Sequence, residues 1–252
     1  MLYLFFCISN NINLYAAGSA GSGAIYESRY IIDMPNAGML YKASYSTSTK
    51  FIDGGGLLVD FTTAPFNFLN IGVSYSVSGL IGAGGIKVHQ KYPGFNVKAR
   101  ILDERLTIPA IAVGFYSQGN GLYYDDSASE RFSQLSPGFY VAASKSFIWD
   151  LGEVSVHAGV NYCIDTKEDA GINIYAGIEH TLGKYFSLLC EFNPNFNDDN
   201  KVIPNSKFKF NTAVRASVSD NITFELQFRD IFTSSKNNGF NRFVGIEFIN
   251  RF

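Results

Sequence analysis

The chain has 252 residues, of which 46% are hydrophobic, 15% aromatic and 17% charged. Its formal net charge of −2 and the lack of any basic run give no electrostatic basis for binding nucleic acid. No run of eighteen apolar residues occurs, which excludes a membrane-spanning helix.

The N-terminal residues are predicted to be a targeting segment. Leu2–Ile8 forms a short apolar core, and small residues around Ala17 offer a cleavage site, although no Lys or Arg precedes Arg29. We therefore expect residues 1–17 to be an atypical or truncated signal peptide. Residues 18–37 are expected to be a Gly/Ser-rich linker or N-terminal segment, with Ile25–Ile32 either an extra strand or a segment folded into the mouth of the following domain. Residues 38–252 are expected to form a single domain.

That domain is predicted to consist of about twelve β-strands. Apolar and polar residues alternate with a period of two between turn residues, as in Ile222–Arg229, where Ile222 and Phe224 share a face. Each segment has about ten residues, the length that a tilted strand needs to cross a bilayer. The predicted strands are 38–48, 55–63, 69–78, 94–102, 108–116, 138–147, 153–164, 171–181, 185–193, 206–217, 221–230 and 241–252.

The connections between these strands alternate in length. Those at 182–184 and 219–220 are short, whereas those at 79–93, 117–137 and 194–205 are long. The connections Lys50–Gly54 and Asp165–Ala170 are short for external loops, so most but not all connections follow the rule. Short periplasmic turns and longer external loops are typical of outer-membrane barrels. The sequence thus predicts an all-β fold, a transmembrane antiparallel β-barrel of about twelve strands in the bacterial outer membrane, with both termini periplasmic and outer-membrane lipids around it.

A soluble, secreted β-domain is the alternative for such a pattern. Its apolar faces would point inward, and alternation alone does not separate the two architectures. Twelve strands closed around Phe, Ile, Val and Leu could hardly fill so wide an interior, whereas polar side chains suit a wet lumen. Interior volume therefore favours the membrane barrel.

The last strand supports this interpretation. In Asn241–Phe252, Val244, Ile246 and Phe248 share one face, and the sequence finishes on Phe252. This strand resembles the terminal strand that the barrel-assembly machinery of Gram-negative bacteria recognises, with Asn250 departing from the usual apolar residue. We expect Val244, Ile246, Phe248 and Phe252 to act as an assembly signal, with that machinery as a partner.

Charged residues of both signs occupy the face predicted to line the lumen. Mixed signs favour cross-strand ion pairs, such as Arg215 with Glu225 across a tight turn, over rings of one sign that would select ions. We expect a narrow porin-like channel for small solutes, or else a non-conducting structural or surface-interaction barrel. The candidate lumen-lining residues are Lys98, Arg100, Glu153, His157, Glu179, Glu191, Lys209, Arg215, Glu225, Arg229 and Glu247.

An acidic group lies in the longest predicted loop, which we expect to be extracellular. Asp125, Asp126 and Glu130 occur there among aromatic residues, a combination that can bind Ca²⁺ or a sugar. A solvated acidic loop is the simpler interpretation and is favoured.

Catalysis is not expected. Lipid hydrolysis within a barrel would need a Ser and a His side by side on the lipid-facing wall. His157 is predicted to point into the lumen, and His180 has no serine two residues on. The sequence therefore predicts no catalytic residues, and without His/Cys ligand spacing it predicts no metal and no cofactor.

Two segments carry a family resemblance. Phe95–Gly121, with its acidic turn before Pro109 and its Ile-Ala-Val-Gly strand, and Ser136–Phe147, with its Ser-Pro-Gly-Phe-Tyr entry, resemble a group of uncharacterised outer-membrane proteins. That group is distantly similar to YjbH-type barrels associated with exopolysaccharide production. The resemblance implies an outer-membrane barrel and a polysaccharide as a further candidate partner, and it transfers no functional residue.

Overall fold

The computed structural model describes residues 21, 24, 26–82, 85–88, 92–126, 129–166, 169–199, 207–232 and 241–252. The predicted signal peptide, 1–17, lies outside these residues. Among them, no helix is long and apolar enough to span a membrane.

Twelve antiparallel strands form a closed barrel, which confirms the predicted fold class. Strands that follow each other around the barrel are paired, and the last strand of the chain closes the circle against the first. The strands of the barrel are β1 (Ser44–Ile52), β2 (Gly56–Phe66), β3 (Leu69–Val77), β4 (Gly94–Leu102), β5 (Ala110–Tyr116), β8 (Gly138–Trp149), β9 (Gly152–Cys163), β10 (Gly171–Leu182), β11 (Phe186–Asn193), β12 (Lys209–Ser219), β13 (Ile222–Arg229) and β14 (Asn241–Arg251).

Two further strands, β6 (Asn120–Asp126) and β7 (Ser129–Gln134), form a separate two-stranded sheet between β5 and β8. A short 3₁₀ turn, Asp53–Gly55, connects β1 to β2. The long connections, together with β6 and β7, lie at one end of the barrel, which we call the long-loop end. The C terminus and the other short turns lie at the other, the short-turn end, whereas the short turn Asp53–Gly55 lies at the long-loop end.

The first strand begins six residues later than predicted, at Ser44 instead of residue 38. Residues 38–43 are held by other partners: Met39 donates its backbone N–H to Glu27 at 2.8 Å. A Cβ atom on Gly38 would lie 1.7 Å from the carbonyl oxygen of Ser28. This stretch is therefore packed against the preceding chain and is not part of the barrel wall.

The outer face of the wall is apolar across the middle of the strands. Val113, Val141, Val160 and Ile174 are directly paired neighbours on four adjacent strands, and all are well exposed. Exposed aromatic residues lie toward both ends of the strands, as in outer-membrane barrels. At the short-turn end these are Phe66, Phe68, Phe147, Trp149, Tyr185 and Phe186, and at the long-loop end Phe95, Phe139, Tyr162, Phe192 and Phe208. An exterior of this kind matches lipid.

We predict that Val141→Arg destabilises the barrel by about 2–4 kcal/mol, because it places a charge in the apolar belt. Leu80→Arg is the matched control, since Leu80 is equally apolar and exposed but lies in a connection at the long-loop end. Urea unfolding in lipid vesicles, followed by the fluorescence of the single tryptophan, Trp149, would measure both changes. Equal effects of the two substitutions would contradict a lipid-facing belt.

Candidate functional site

The lumen is occupied by the protein's own N-terminal segment. Residues 26–42, here called the lumenal finger, rise from the short-turn end, turn over and descend again to β1. The turn is closed by the Ile31 N–H, which donates to the Met34 carbonyl at 2.8 Å, and by a bridge between Tyr30 and Pro35. The sequence predicted a linker or N-terminal segment over 18–37, with Ile25–Ile32 as either an extra strand or a segment folded into the barrel mouth. The structure places residues 26–42 deep in the lumen.

One carboxylate holds the tip of the finger. The backbone N–H groups of Ile32, Asp33 and Met34 all donate to the same Glu191 oxygen, Oε2, at 3.0, 2.9 and 2.9 Å. The other oxygen, Oε1, accepts from Asn211 at 3.0 Å. Glu191 is completely buried. A carboxylate can accept this many bonds at once, so Glu191 satisfies three amides that have no β-ladder partner.

Cationic side chains on β4 hold the carbonyl groups. The Lys98 ammonium donates to the carbonyls of Arg29, Asn36 and Gly38 at 2.7, 3.1 and 3.3 Å. Arg100 lies two residues further along the same face of β4. It donates to the Ala37 carbonyl from Nε and Nη2, at 3.1 and 2.7 Å. Both side chains thus serve as hydrogen-bond donors to internal backbone and are not free in an open channel.

Arg215 on β12 joins the wall to the finger. It lies directly opposite Glu225 and pairs with it, which confirms the predicted cross-strand pair. It also contacts Glu179 at 3.4 Å and donates to the Tyr30 carbonyl at 2.9 Å. The pair is therefore one part of a larger network that the sequence alone did not indicate.

Three charged residues of the buried part of the finger pair with the wall. Glu27 pairs with Arg100, Arg29 with Glu247, and Asp33 with Arg229. These partners come from β4 and from the adjacent strands β13 and β14, so the finger is anchored on two sides of the barrel. The wall thus presents basic residues to the acidic residues of the finger and an acidic residue to its arginine.

Small residues in the wall make room for the finger. Ala37 packs on Ala110 and Ala112. A Cβ atom added to Gly177 would lie 2.6 Å from the side chain of Ile31. Small inward-facing residues were visible in the sequence and indicate that something fills the lumen, a signal that the charge analysis missed.

The other candidate lumen residues have local partners. His157 is buried, and its Nδ1 lies 2.8 Å from the Ser144 hydroxyl, which also accepts the Ala37 N–H at 2.9 Å. This Ser–His pair escaped the sequence analysis, and the finger covers it. Glu153 lies half-buried near the short-turn end. Lys209 donates to the side chain of Gln134 at 2.8 Å, at the opposite end.

A residual cavity of about 80 Å³ remains beside the finger, enough for several water molecules. The wall of β1, β2, β13 and β14 lines one side, and the finger lines the other. Charged groups of both signs face it, including Lys50, Asp60, Arg29 and Glu247. Its roof toward the long-loop end is formed by residues 118–120 and 134–137 on either side of β6 and β7.

The predicted ligand loop is not an open loop. Asp125, Asp126 and Glu130 lie on the hairpin strands β6 and β7, two strands that the sequence did not predict, within the connection between β5 and β8. Their binding of Ca²⁺ or a sugar stays a prediction. Period-two alternation is weak there, and the strands were hidden among turn residues. The described residues contain no cluster of three His, Cys, Asp or Glu side chains that could hold a metal ion.

At the long-loop end, a basic residue of the hairpin binds two aspartates of neighbouring connections. Arg131 on β7 donates to Asp169 at 2.7 Å and to both oxygens of Asp198 at 2.9 and 2.8 Å, and all three side chains are 0% exposed. Burial lowers the pKa of the Arg131 guanidinium, but its bonds to Asp198 and Asp169 outweigh burial and hold the pKa above its usual value. At Asp165, burial raises the pKa of the carboxyl group, and the hydrogen bonds that Ser136 donates to it offset only part of this rise.

The expected assembly signal lies on the outer face of β14. Val244 is exposed toward lipid, Ile246 and Phe248 are partly exposed, and Phe252 is 81% exposed at the chain end, where its ring lies 5.0 Å from that of Tyr45. The role of these residues in assembly stays a prediction.

We predict that Glu191→Ala lowers the free energy of unfolding by about 1–3 kcal/mol, because it leaves the three finger amides without an acceptor. Glu153→Ala is the control, since Glu153 is also lumenal but makes no described contact with the finger. Urea unfolding in vesicles would compare them. If Glu153→Ala cost as much as Glu191→Ala, the finger would not depend on this carboxylate.

No protein-family model matches the sequence, and no curated protein matches it either. The fold is similar to that of the KdgM porin, with a TM-score of 0.51 and 13% identity over 81% of this chain and 98% of that chain. The KdgM porin in complex with disordered oligogalacturonate has a TM-score of 0.50, with the same identity and coverage. At this identity the similarity shows the fold alone, and the fold is that of an outer-membrane porin barrel of twelve strands.

Proposed function

We propose that this chain is a porin-like barrel of the bacterial outer membrane whose own finger narrows the lumen to a small polar passage. The observation that carries the proposal is the packing of residues 26–42 between charged walls, which leaves a cavity of about 80 Å³. An open twelve-stranded barrel would have a wider interior. The proposed cargo is therefore small.

The outer face of the wall and the alternation of connections support the location. An apolar belt with aromatic residues at both ends suits a bilayer, and long loops at one end suit the cell exterior. The C terminus and the entry of the finger lie at the short-turn end, which we propose to be periplasmic. The finger then reaches into the lumen from the periplasm.

The balance of lumenal charges supports small polar solutes over acidic oligomers. The bound oligogalacturonate belongs to the KdgM porin, and a channel for such a ligand would need an excess of positive charge along its path. Among the described residues of the wall, seven basic and six acidic side chains lie on the inner face: Lys50, Lys98, Arg100, Lys209, Arg215, Arg229 and Arg251 against Asp60, Glu153, Glu179, Glu191, Glu225 and Glu247. We infer weak charge selectivity.

A role with envelope polysaccharide is the more specific form of this proposal. It rests only on the sequence resemblance to YjbH-type barrels, since the compared proteins provide no link to that type. A polysaccharide chain could not pass the cavity as it stands, so this form requires contact at the loops or displacement of the finger.

The second candidate is a non-conducting structural or surface-interaction barrel. The closure of both ends favours it: an apolar cluster of Tyr26, Leu40, Ala64 and Ile249 lies at the short-turn end, and the hairpin of β6 and β7 covers the other. Conductance distinguishes the two candidates.

We predict small, stable conductance steps for the wild-type protein in planar bilayers. The double variant Arg100→Ala/Glu191→Ala removes two anchors of the finger, so its steps should be at least several-fold larger, since conduction then follows the wider lumen. Glu153→Ala is the control and should behave like the wild type. Silence of both proteins over many insertions, with folding verified by heat-modifiable gel migration, would reject the channel and favour the structural barrel.

A further inference from the structure

The hairpin of β6 and β7 is built as a cover over the residual cavity, here called the lid. It forms its own two-stranded sheet and shares no ladder with the barrel. A two-stranded hairpin alone is at most marginally stable in water. Its own core includes the edge-on pair of Tyr123 and Phe132, with ring centroids 4.9 Å apart. Its position therefore depends on what its side chains bind.

The main fastening is a buried clasp of one arginine and two aspartates. Arg131 of the lid reaches Asp169 in the connection between β9 and β10, and Asp198 in the connection between β11 and β12. Both carboxylate oxygens of Asp198 accept hydrogen bonds from the guanidinium. Asp169 also accepts a hydrogen bond from the Thr166 hydroxyl at 2.7 Å. The clasp thus joins three separate connections of the long-loop end.

Removal of one partner from such a clasp is costly. Two carboxylates and one guanidinium with no exposed surface are held there only because each compensates the others. An arginine without its aspartates would be an unpaired buried charge, and it would be better solvated if the hairpin moved outward. The closed position is therefore stable only while the clasp is complete.

The base of the lid has features of a hinge. Gly121 and Gly138, near its two ends, have φ values of +82° and +65°, in the region that glycine adopts without strain. Hinges are a few terminal residues of an element that absorb changes in φ and ψ. Apart from the clasp, the hairpin and its base are held by hydrogen bonds near their two ends. Asn120 donates to Asp33 at 3.0 Å, and Lys209 donates to the Ser133 carbonyl and the Gln134 side chain at 3.3 and 2.8 Å. Ser136, after β7, donates its N–H and its hydroxyl to Asp165, so the movable part ends before Ser136.

We propose that the strands β6 and β7 form a hinged lid over the residual passage, and that the Arg131–Asp169–Asp198 clasp keeps it closed. The control of solute entry by the lid rests on the proposed function, whereas the movement of the lid does not depend on that function. Release of the clasp exposes the cavity to the long-loop end. The lid would then be a second closure in addition to the finger.

A thiol placed in the cavity tests the movement without any need for conduction. Ser48 lines the cavity, so Ser48→Cys is introduced with the other cysteines replaced by serine, and its reaction with a water-soluble maleimide is timed in detergent. Adding Arg131→Ala or Asp198→Asn should accelerate labelling by about tenfold or more, because each breaks a buried ion pair. Asp199→Asn is the matched control, since it breaks an exposed pair with Lys207 in the same connection.

The same variants are then measured in planar bilayers, after heat-modifiable migration shows that each barrel is folded. Faster labelling together with larger conductance in Arg131→Ala and Asp198→Asn supports both the lid and the channel. Faster labelling without conductance in any variant keeps the lid and rejects the channel. Labelling at the wild-type rate in both folded clasp variants, or equal acceleration by Asp199→Asn, overturns the lid.

Discussion

The structure depends on one constraint: backbone that enters a barrel lumen has no ladder to satisfy its N–H and C=O groups. Buried backbone groups without partners cost free energy comparable to a lost hydrogen bond each. Glu191 meets this requirement for three consecutive amides, and Lys98 meets it for three carbonyls. The charged lumenal side chains take the place that a neighbouring strand takes elsewhere in the molecule.

This constraint explains why the lumen contains charged residues of both signs. A ring of one sign would repel part of the finger, which itself contains Glu27, Arg29 and Asp33 and pairs with three strands. A lumen that binds a segment of its own chain with charges of both signs needs wall charges of both signs. Six of the eleven predicted lumen-lining residues hold the finger directly: Lys98, Arg100, Glu191, Arg215, Arg229 and Glu247. The groups that a solute could meet are those that border the residual cavity, such as Lys50 and Asp60.

The barrel was predictable because its signals are local. A period of two, turn residues at regular intervals and the order of short and long connections each arise from adjacent residues, and β4 over Gly94–Leu102 was predicted to the residue. The pair of Arg215 and Glu225 was predictable because a tight turn fixes its register. The finger was not predictable in this way, since Glu191 lies 157 to 159 positions from the amides that it accepts. The lid was missed for the same reason, because Arg131 and Asp198 are 67 positions apart.

Residues 31–38 form a fixed part of the lumen, and amide hydrogen exchange measures this. Backbone N–H groups bonded to buried side chains exchange only when the finger leaves them, so local protection reports whether the finger occupies the lumen. The amides of Ile32, Met34 and Ala37, in the folded barrel in vesicles, should exchange as slowly as those of the barrel strands. Exchange as fast as in the exposed connections would show that the finger is not bound in the lumen.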